Sequence, residues 1–139
     1  TDIATTQILQ HAPTAVQAAR KANPHQRATY LQGDILDPEK ALLGRFDWVV
    51  EHTCLCALAP VYWPAYAAGI RKVLKPGGNY LALFYRNPLD EEGPPFRIED
   101  ADIKELFEED FSLVDSWVPD WSYNSRFGRE EIRWFRLKA

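Results

Sequence analysis

The segment Phe46 to Gly78, FDWVVEHTCLCALAPVYWPAYAAGIRKVLKPGG, carries the clearest patterning in the chain. Phe46 to Val50 is nearly continuous in apolar residues, the pattern of a strand covered on both faces. Polar Glu51-His52-Thr53 follow as a turn. Pro64 to Leu74 then places Tyr66, Ile70, Val73 and Leu74 on one face of a helix. Lys75-Pro76-Gly77-Gly78 predicts the helix stop, with Gly77 or Gly78 at positive φ. Tyr80 to Tyr85 reads as the next strand.

Weaker signals flank this unit. Ile3 to Leu9 is compatible with a short strand. Ala12-Pro13-Thr14 opens a helix that Asn23-Pro24 ends. Ala28 to Gln32 is a short strand closed by Gly33-Asp34, and Asp37-Pro38-Glu39 starts a turn or short helix. Glu99 to Glu109 predicts a helix with Ile103, Leu106 and Phe107 facing inward. Phe111 to Trp117 and Glu130 to Leu137 predict two closing strands. Strands alternating with helices imply a mainly parallel sheet with crossover helices, and the closing pair makes it mixed. No internal repeat is visible, and 139 residues suit a single domain, 1–139.

Composition narrows the function classes. Hydrophobic residues make up 46% of the chain, enough for a sizeable core. The net charge of −4 argues against nucleic acid as a main partner, because phosphate binding needs a basic face. Ten of the twenty acidic residues fall between Asp90 and Asp110, where the helical spacing turns them outward as a solvated face. No apolar run is long enough for a membrane span, and no signal-peptide pattern opens the chain. Cys54 and Cys56 are too close in sequence for an unstrained disulfide. They read as thiols in a reducing, cytoplasmic compartment. With His52 they fall short of a four-ligand zinc site, so no metal is expected. The five tryptophans read as core rather than site.

Candidate chemistry clusters at strand ends, where open α/β sheets bind ligands. At Gly33-Asp34-Ile35 a carboxylate can accept from an exocyclic amine, the next N–H can donate to a ring nitrogen, and isoleucine can pack on a flat base. The alternative is an ordinary Gly-Asp turn. Glu51 can hold a cationic centre, His52 can move a proton, and Thr53 can cap; a plain capping turn is the alternative. Tyr85-Arg86 ends the next strand, where Arg86 suits either an anion or the surface. Gly93-Pro94-Pro95-Phe96 offers a stiff apolar wall, or a rigid connection over a buried phenylalanine.

Gly33-Asp34-Ile35, Phe46-Asp47-Trp48-Val49-Val50 and Leu74-Lys75-Pro76-Gly77-Gly78, in this order, resemble the class I S-adenosylmethionine-dependent methyltransferases. Four further stretches narrow the resemblance to the thiopurine, thiol and halide methyltransferases. These are Ala12-Pro13-Thr14-Ala15-Val16, His52-Thr53-Cys54-Leu55-Cys56-Ala57-Leu58, Gly93-Pro94-Pro95-Phe96 and Arg126-Phe127-Gly128-Arg129-Glu130. The resemblance covers roughly residues 12 to 139. It implies a Rossmann-like mixed α/β sheet of the methyltransferase type, with flanking helices and a C-terminal antiparallel strand pair. It implies S-adenosylmethionine as cofactor, with Asp34 and Ile35 on the adenine and Glu51, His52 and Thr53 near the methionine part. Tyr85 and Arg86, with Pro94, Pro95 and Phe96 as the wall, form the expected acceptor side.

The chain departs from the family at its start. No G-x-G precedes Ala12, and Gln10 stands where an acid would bind the ribose. The family's first strand and glycine-rich loop are therefore expected to be missing, an N-terminal truncation. That would leave Phe46 to Val50 with an unpaired apolar edge, covered by Ile3 to Leu9, by a second copy, or by a piece of a longer chain. A homo-oligomer is expected if the chain is complete. The leading reading is methyl transfer to a small thiol, thiopurine or similar acceptor, with no membrane or nucleic-acid partner. The second is a non-catalytic methyltransferase-like module that binds ligand or oligomerises. A redox or metal protein built on Cys54 and Cys56 is a third.

Overall fold

The computed structural model describes residues 6–10, 12–22, 28–89 and 92–139. Strand β1 is Thr6–Gln10, helix α1 Pro13–Ala22 and strand β2 Ala28–Gln32. Then come β3 Phe46–His52, α2 Trp63–Val73, β4 Leu74–Tyr85, α3 Asp100–Phe107, β5 Phe111–Trp117 and β6 Glu130–Leu137. The second and the last two strands have the limits their patterning predicts. The start of the expected Ile3–Leu9 strand and the Asn23-Pro24 stop lie outside the described residues.

The strands form two sheets. β1 and β2 pair in parallel, from Thr6 opposite Ala28 to Gln10 opposite Gln32. The other four lie in the order β3-β4-β6-β5. β3 and β4 are parallel, joined by α2 as the crossover, while β6 runs antiparallel to both its neighbours. The expected mixed sheet is present, with the last strand inserted between β4 and β5. Among the described residues β3 has a partner on one side only, the unpaired edge anticipated from the sequence.

Helix α2 stops one residue earlier than its spacing implies. Leu74 is already extended, at φ −77 and ψ 145, and begins β4. Lys75-Pro76-Gly77-Gly78 is therefore the irregular start of a strand as well as a helix stop. Phe46 lies opposite Leu74 but Trp48 opposite Asn79, so β4 bulges here, and Gly77 takes φ +76. Helix α3 carries a capping box, in which Glu99 N–H donates to Asp102 across 2.9 Å. Asp100 and Asp102 in its first turn also suit the positive end of the helix dipole.

Both α2 and α3 cover one face of the four-stranded sheet. Tyr80, Phe84, Phe107, Phe111 and Phe135 interlock there, with ring centres 5.3 Å apart for Tyr80–Phe107 and 5.4 Å for Phe107–Phe135. Ile103 and Phe107 are buried and Leu106 is half-buried, the inner face expected for this helix. The opposite sheet face is open along β3. Trp48 stacks on Trp134 at 5.7 Å, yet is 48% exposed, and Val50 is 68% exposed. The expectation of a β3 covered on both faces fails for this reason. The expectation that the tryptophans are core also fails. Only Trp63 is buried, its indole N–H shared by the Leu55 and Leu58 carbonyls at 3.1 and 2.9 Å. No described helix is long and apolar enough to cross a membrane.

Candidate active site

The turn after β2 holds itself together. Asp34 Oδ1 accepts the Leu36 N–H at 2.9 Å, and the Asp34 carbonyl accepts the Asp37 N–H at 3.0 Å. The second carboxylate oxygen of Asp34 has no partner among the described residues. Ile35 and Leu36 pack against the main core. The Ile35 carbonyl oxygen occupies the space that a Cβ at position 69 of α2 would need, so the turn can seat on the helix only because residue 69 is glycine. The turn after β2 is thus braced by the helix that follows β3.

At the tip of β3 three adjacent residues point in different directions. Glu51 is 6% exposed and turned toward the helices. Its Oε2 accepts the Cys54 N–H at 2.7 Å and its Oε1 accepts the Tyr80 O–H at 3.3 Å. Burial pushes its pKa up to about 7, against the opposing effect of hydrogen bonds from Cys54, Tyr80 and Leu55. His52 projects to the other side and is exposed. Thr53 takes φ +53, a left-handed conformation rare for a β-branched residue. Its N–H bonds the Leu83 carbonyl at 3.1 Å, and its hydroxyl donates to the His52 carbonyl at 2.8 Å. Strain of this kind collects at functional sites, and nothing in the local sequence announces it. His52 and Thr53 form the outward tip, while Glu51 shapes the turn from below.

Cys54 and Cys56 are free thiols. Part of Cys54 reaches solvent, yet both thiols are pushed up to about 11, by burial first and by the Glu51 carboxylate second. They stay neutral near pH 7, and thiol exchange needs the thiolate, which weighs against the redox reading.

The end of β4 is tied down by Arg86. Its guanidinium donates to the Ile98 carbonyl at 2.7 Å, to Glu131 at 3.0 Å and to Asp100 at 2.6 Å. Arg133 joins the same two carboxylates, and the hydrogen bonds from Arg86 first and Arg133 second hold the Asp100 carboxyl below its ordinary range. Arg86 is neither free at the surface nor open to an anion here; it ties β4 to α3 and β6. Beside it Tyr85 is buried. The Gly93-Pro94-Pro95-Phe96 loop folds back onto the β3 turn, where Phe96 N–H donates to the Cys56 carbonyl at 2.7 Å. Gly93 takes φ +65 and leaves room for the Phe96 ring. Phe96 is half-buried against the core rather than fully buried. A separate cleft of about 390 Å³ between α2 and α3, lined by Pro64, Ala68, Arg71, Glu105 and others, contains none of these residues.

Comparison with known proteins agrees with this arrangement. The family model described as thiopurine S-methyltransferase matches residues 1–138. A probable thiol methyltransferase 2 of Arabidopsis thaliana is 31% identical over 113 residues, covering 76% of this chain and 47% of that protein. A thiopurine S-methyltransferase of Oryctolagus cuniculus is 36% identical over 75 residues, covering 53% and 31%. The chain therefore spans about half or less of the length of these relatives. Among solved structures, the N-methyltransferase NodS from Bradyrhizobium japonicum WM9, in complex with S-adenosyl-L-homocysteine, superposes with a TM-score of 0.75. The identity is 17%, over 97% of this chain and 67% of that one, a likeness of fold. With strands, turns and motifs in this order and the family match running almost end to end, the chain belongs to the thiopurine S-methyltransferase family.

Proposed function

We propose that this chain is part of an S-adenosylmethionine-dependent methyltransferase acting on a small soft nucleophile, a thiol, thiopurine or similar acceptor, in a reducing cytoplasmic setting. The observation that carries the reading is the contact of Ile35 with Gly69. It couples the Asp34 turn to α2, and the loop leading into α2 starts at Thr53 just after His52 ends β3, so the two strand tips flank one helix.

The residues present fit the adenine side of such a cofactor. The second oxygen of Asp34 is available to accept from an exocyclic amine, the Ile35 N–H to donate to a ring nitrogen, and the Ile35 side chain to pack on the base. His52 and Thr53 border the methionine part, with Glu51 holding their turn. When bound, the cofactor supplies a sulfonium methyl that passes in line to the nucleophile. Positioning and exclusion of water then carry most of the rate. Tyr85, Pro94, Pro95 and Phe96 wall the acceptor, and the Arg86 cluster keeps the end of β4 in place. A thiolate acceptor brings its own nucleophilicity. Burial pushes up Cys54, Cys56, Tyr66 and Tyr80, so these groups stay protonated and do not compete for the methyl.

The second reading is a non-catalytic module that binds ligand or associates with itself through the β3 edge. Titration calorimetry with S-adenosylmethionine and S-adenosylhomocysteine separates the two. Heat of binding accompanied by a thermal shift supports the enzyme. Absence of both heat and thermal shift at millimolar ligand sinks the enzyme reading for this chain.

A further inference from the structure

Two buried side-chain oxygens among the described residues lack a hydrogen-bond partner, Ser122 Oγ and Glu130 Oε2. Ser122 lies within the connection between β5 and β6, and Glu130 is the first residue after it. Glu130 is 2% exposed. The contrast with its neighbours is sharp. Glu51, equally buried, has both oxygens occupied, and Glu131 next door takes Arg86 and Arg133. An unsatisfied buried carboxylate oxygen costs stability, so its presence calls for a reason.

Arg126 is the nearest cation. Its Nη1 stands 3.7 Å from Glu130 Oε2, within ion-pair range but too far for a hydrogen bond. The guanidinium lies instead over the ring of Tyr85, 5.0 Å from the centre. Tyr85 and Glu130 are opposite each other in the β4–β6 ladder and so share a sheet face. The connection is fixed to the end of β4. Arg86 N–H donates to the Arg129 carbonyl at 2.8 Å, and Arg129 donates to the Asn87 carbonyl at 2.8 Å. Arg126 also bears electrostatically on the Cys56 thiol, and the Cys56 carbonyl holds the Phe96 N–H. Glu130 therefore sits at the same strand end as Tyr85 and Phe96. The connection further exposes Trp121, Tyr123 and Phe127, apolar side chains on the same segment that leads into Glu130.

We propose that Glu130, with Arg126 as its ion-pair partner, sets acceptor specificity: its Oε2, which makes no hydrogen bond among the described residues, receives an N–H donor on the acceptor, remote from the nucleophilic sulfur. The acceptor class is then a small thiol or thione bearing an amine or ring N–H. The proposal rests on the methyltransferase reading above. An acceptor of the same size without the donor leaves the carboxylate oxygen unpaired and binds more weakly.

The test compares 2-aminoethanethiol with 1-propanethiol, which have equal numbers of heavy atoms and differ in the amine, a positively charged N–H donor near pH 7. Binding to the full-length protein is measured by calorimetry with and without S-adenosylhomocysteine. The wild type is expected to bind the amine roughly tenfold more tightly or better. Glu130→Gln removes roughly that preference, with propanethiol changed less than about threefold and S-adenosylhomocysteine affinity unchanged. In a methyl-transfer assay the loss falls on KM for the amine. Equal affinity of the wild type for both thiols overturns the proposal. So does a Glu130→Gln variant that weakens both alike with a lowered melting temperature, the mark of a purely structural ion pair. If Glu130→Gln does not fold, Glu130→Asp and the wild-type comparison still decide. Absence of S-adenosylhomocysteine binding counts against the methyltransferase reading alone, since the two thiols can be compared on the protein without it.

Discussion

The carbonyl oxygen of Ile35 fills the space beside Gly69 where any other residue would carry its Cβ. A glycine in the middle of a helix normally costs stability relative to alanine. Here it admits the backbone of the turn after β2. Gly69→Ala is expected to lower the melting temperature and to weaken S-adenosylhomocysteine binding together, because the Asp34–Ile35 turn must shift. Thermal melts and calorimetry check this. An alanine variant of unchanged melting temperature and affinity would show that the turn has other support.

Asp34 has two separable jobs. Oδ1 holds the Leu36 N–H, and the other oxygen is the one proposed to receive a ligand amine. Asp34→Asn keeps an acceptor for the turn but puts an NH₂ where the amine would bind. Affinity for S-adenosylhomocysteine is expected to fall roughly tenfold with little change in melting temperature. Asp34→Ala should lose both. Unchanged affinity in the asparagine variant rejects the adenine contact.

Glu51 makes stability depend on pH in an uncommon direction. Unfolded, it titrates near the usual 4.5; folded, near 7. Between those values the folded chain binds more protons, so stability falls as pH rises from 4.5 to 7 and levels above that. The full effect is about 3 kcal/mol. Urea melts from pH 4.5 to 8 should show that slope, and Glu51→Gln should flatten it. Identical slopes for both proteins would mean the carboxyl is not desolvated in solution.

Phe107 joins α3 to three strands through contacts with Tyr80, Phe84, Phe111 and Phe135. It is fully buried. Phe107→Ala is expected to cost about 3–5 kcal/mol by chemical denaturation. A loss under about 1 kcal/mol would mean that the aromatic cluster collapses around the gap.

The open face of β3 bears on association. Trp48 and Val50 are exposed beside an unpaired strand edge, the kind of surface that recruits another chain. The 139-residue polypeptide expressed alone is expected to self-associate in sedimentation velocity. A sharp monomer boundary at tens of micromolar would contradict this.

How much of this was legible from the chain alone depends on the reach of each interaction. Strand β6 follows from the alternation of its side chains, and β2 and β5 are legible as short segments between turn residues. The Gly33-Asp34 turn follows from the local preferences of those residues, and the order of motifs points to the family. The end of α2 was misplaced by one residue because Leu74 continues the helical apolar stripe; its pairing with Phe46, far away in the chain, draws it into β4.

Sequence by itself thus determined the elements and the class of fold, since periodicity and turn chemistry act over a few neighbouring residues. Tertiary structure decided the rest. Glu51 turns inward because Tyr80 and the Cys54 N–H receive it. Arg86 becomes a brace because Asp100 and Glu131 converge on it from other elements. Gly69 matters only because Ile35 arrives beside it. Glu130 stands out only once its neighbours are in place and one of its oxygens is left without a hydrogen-bond partner among the described residues. Each of these depends on groups distant in the chain, which no local pattern encodes.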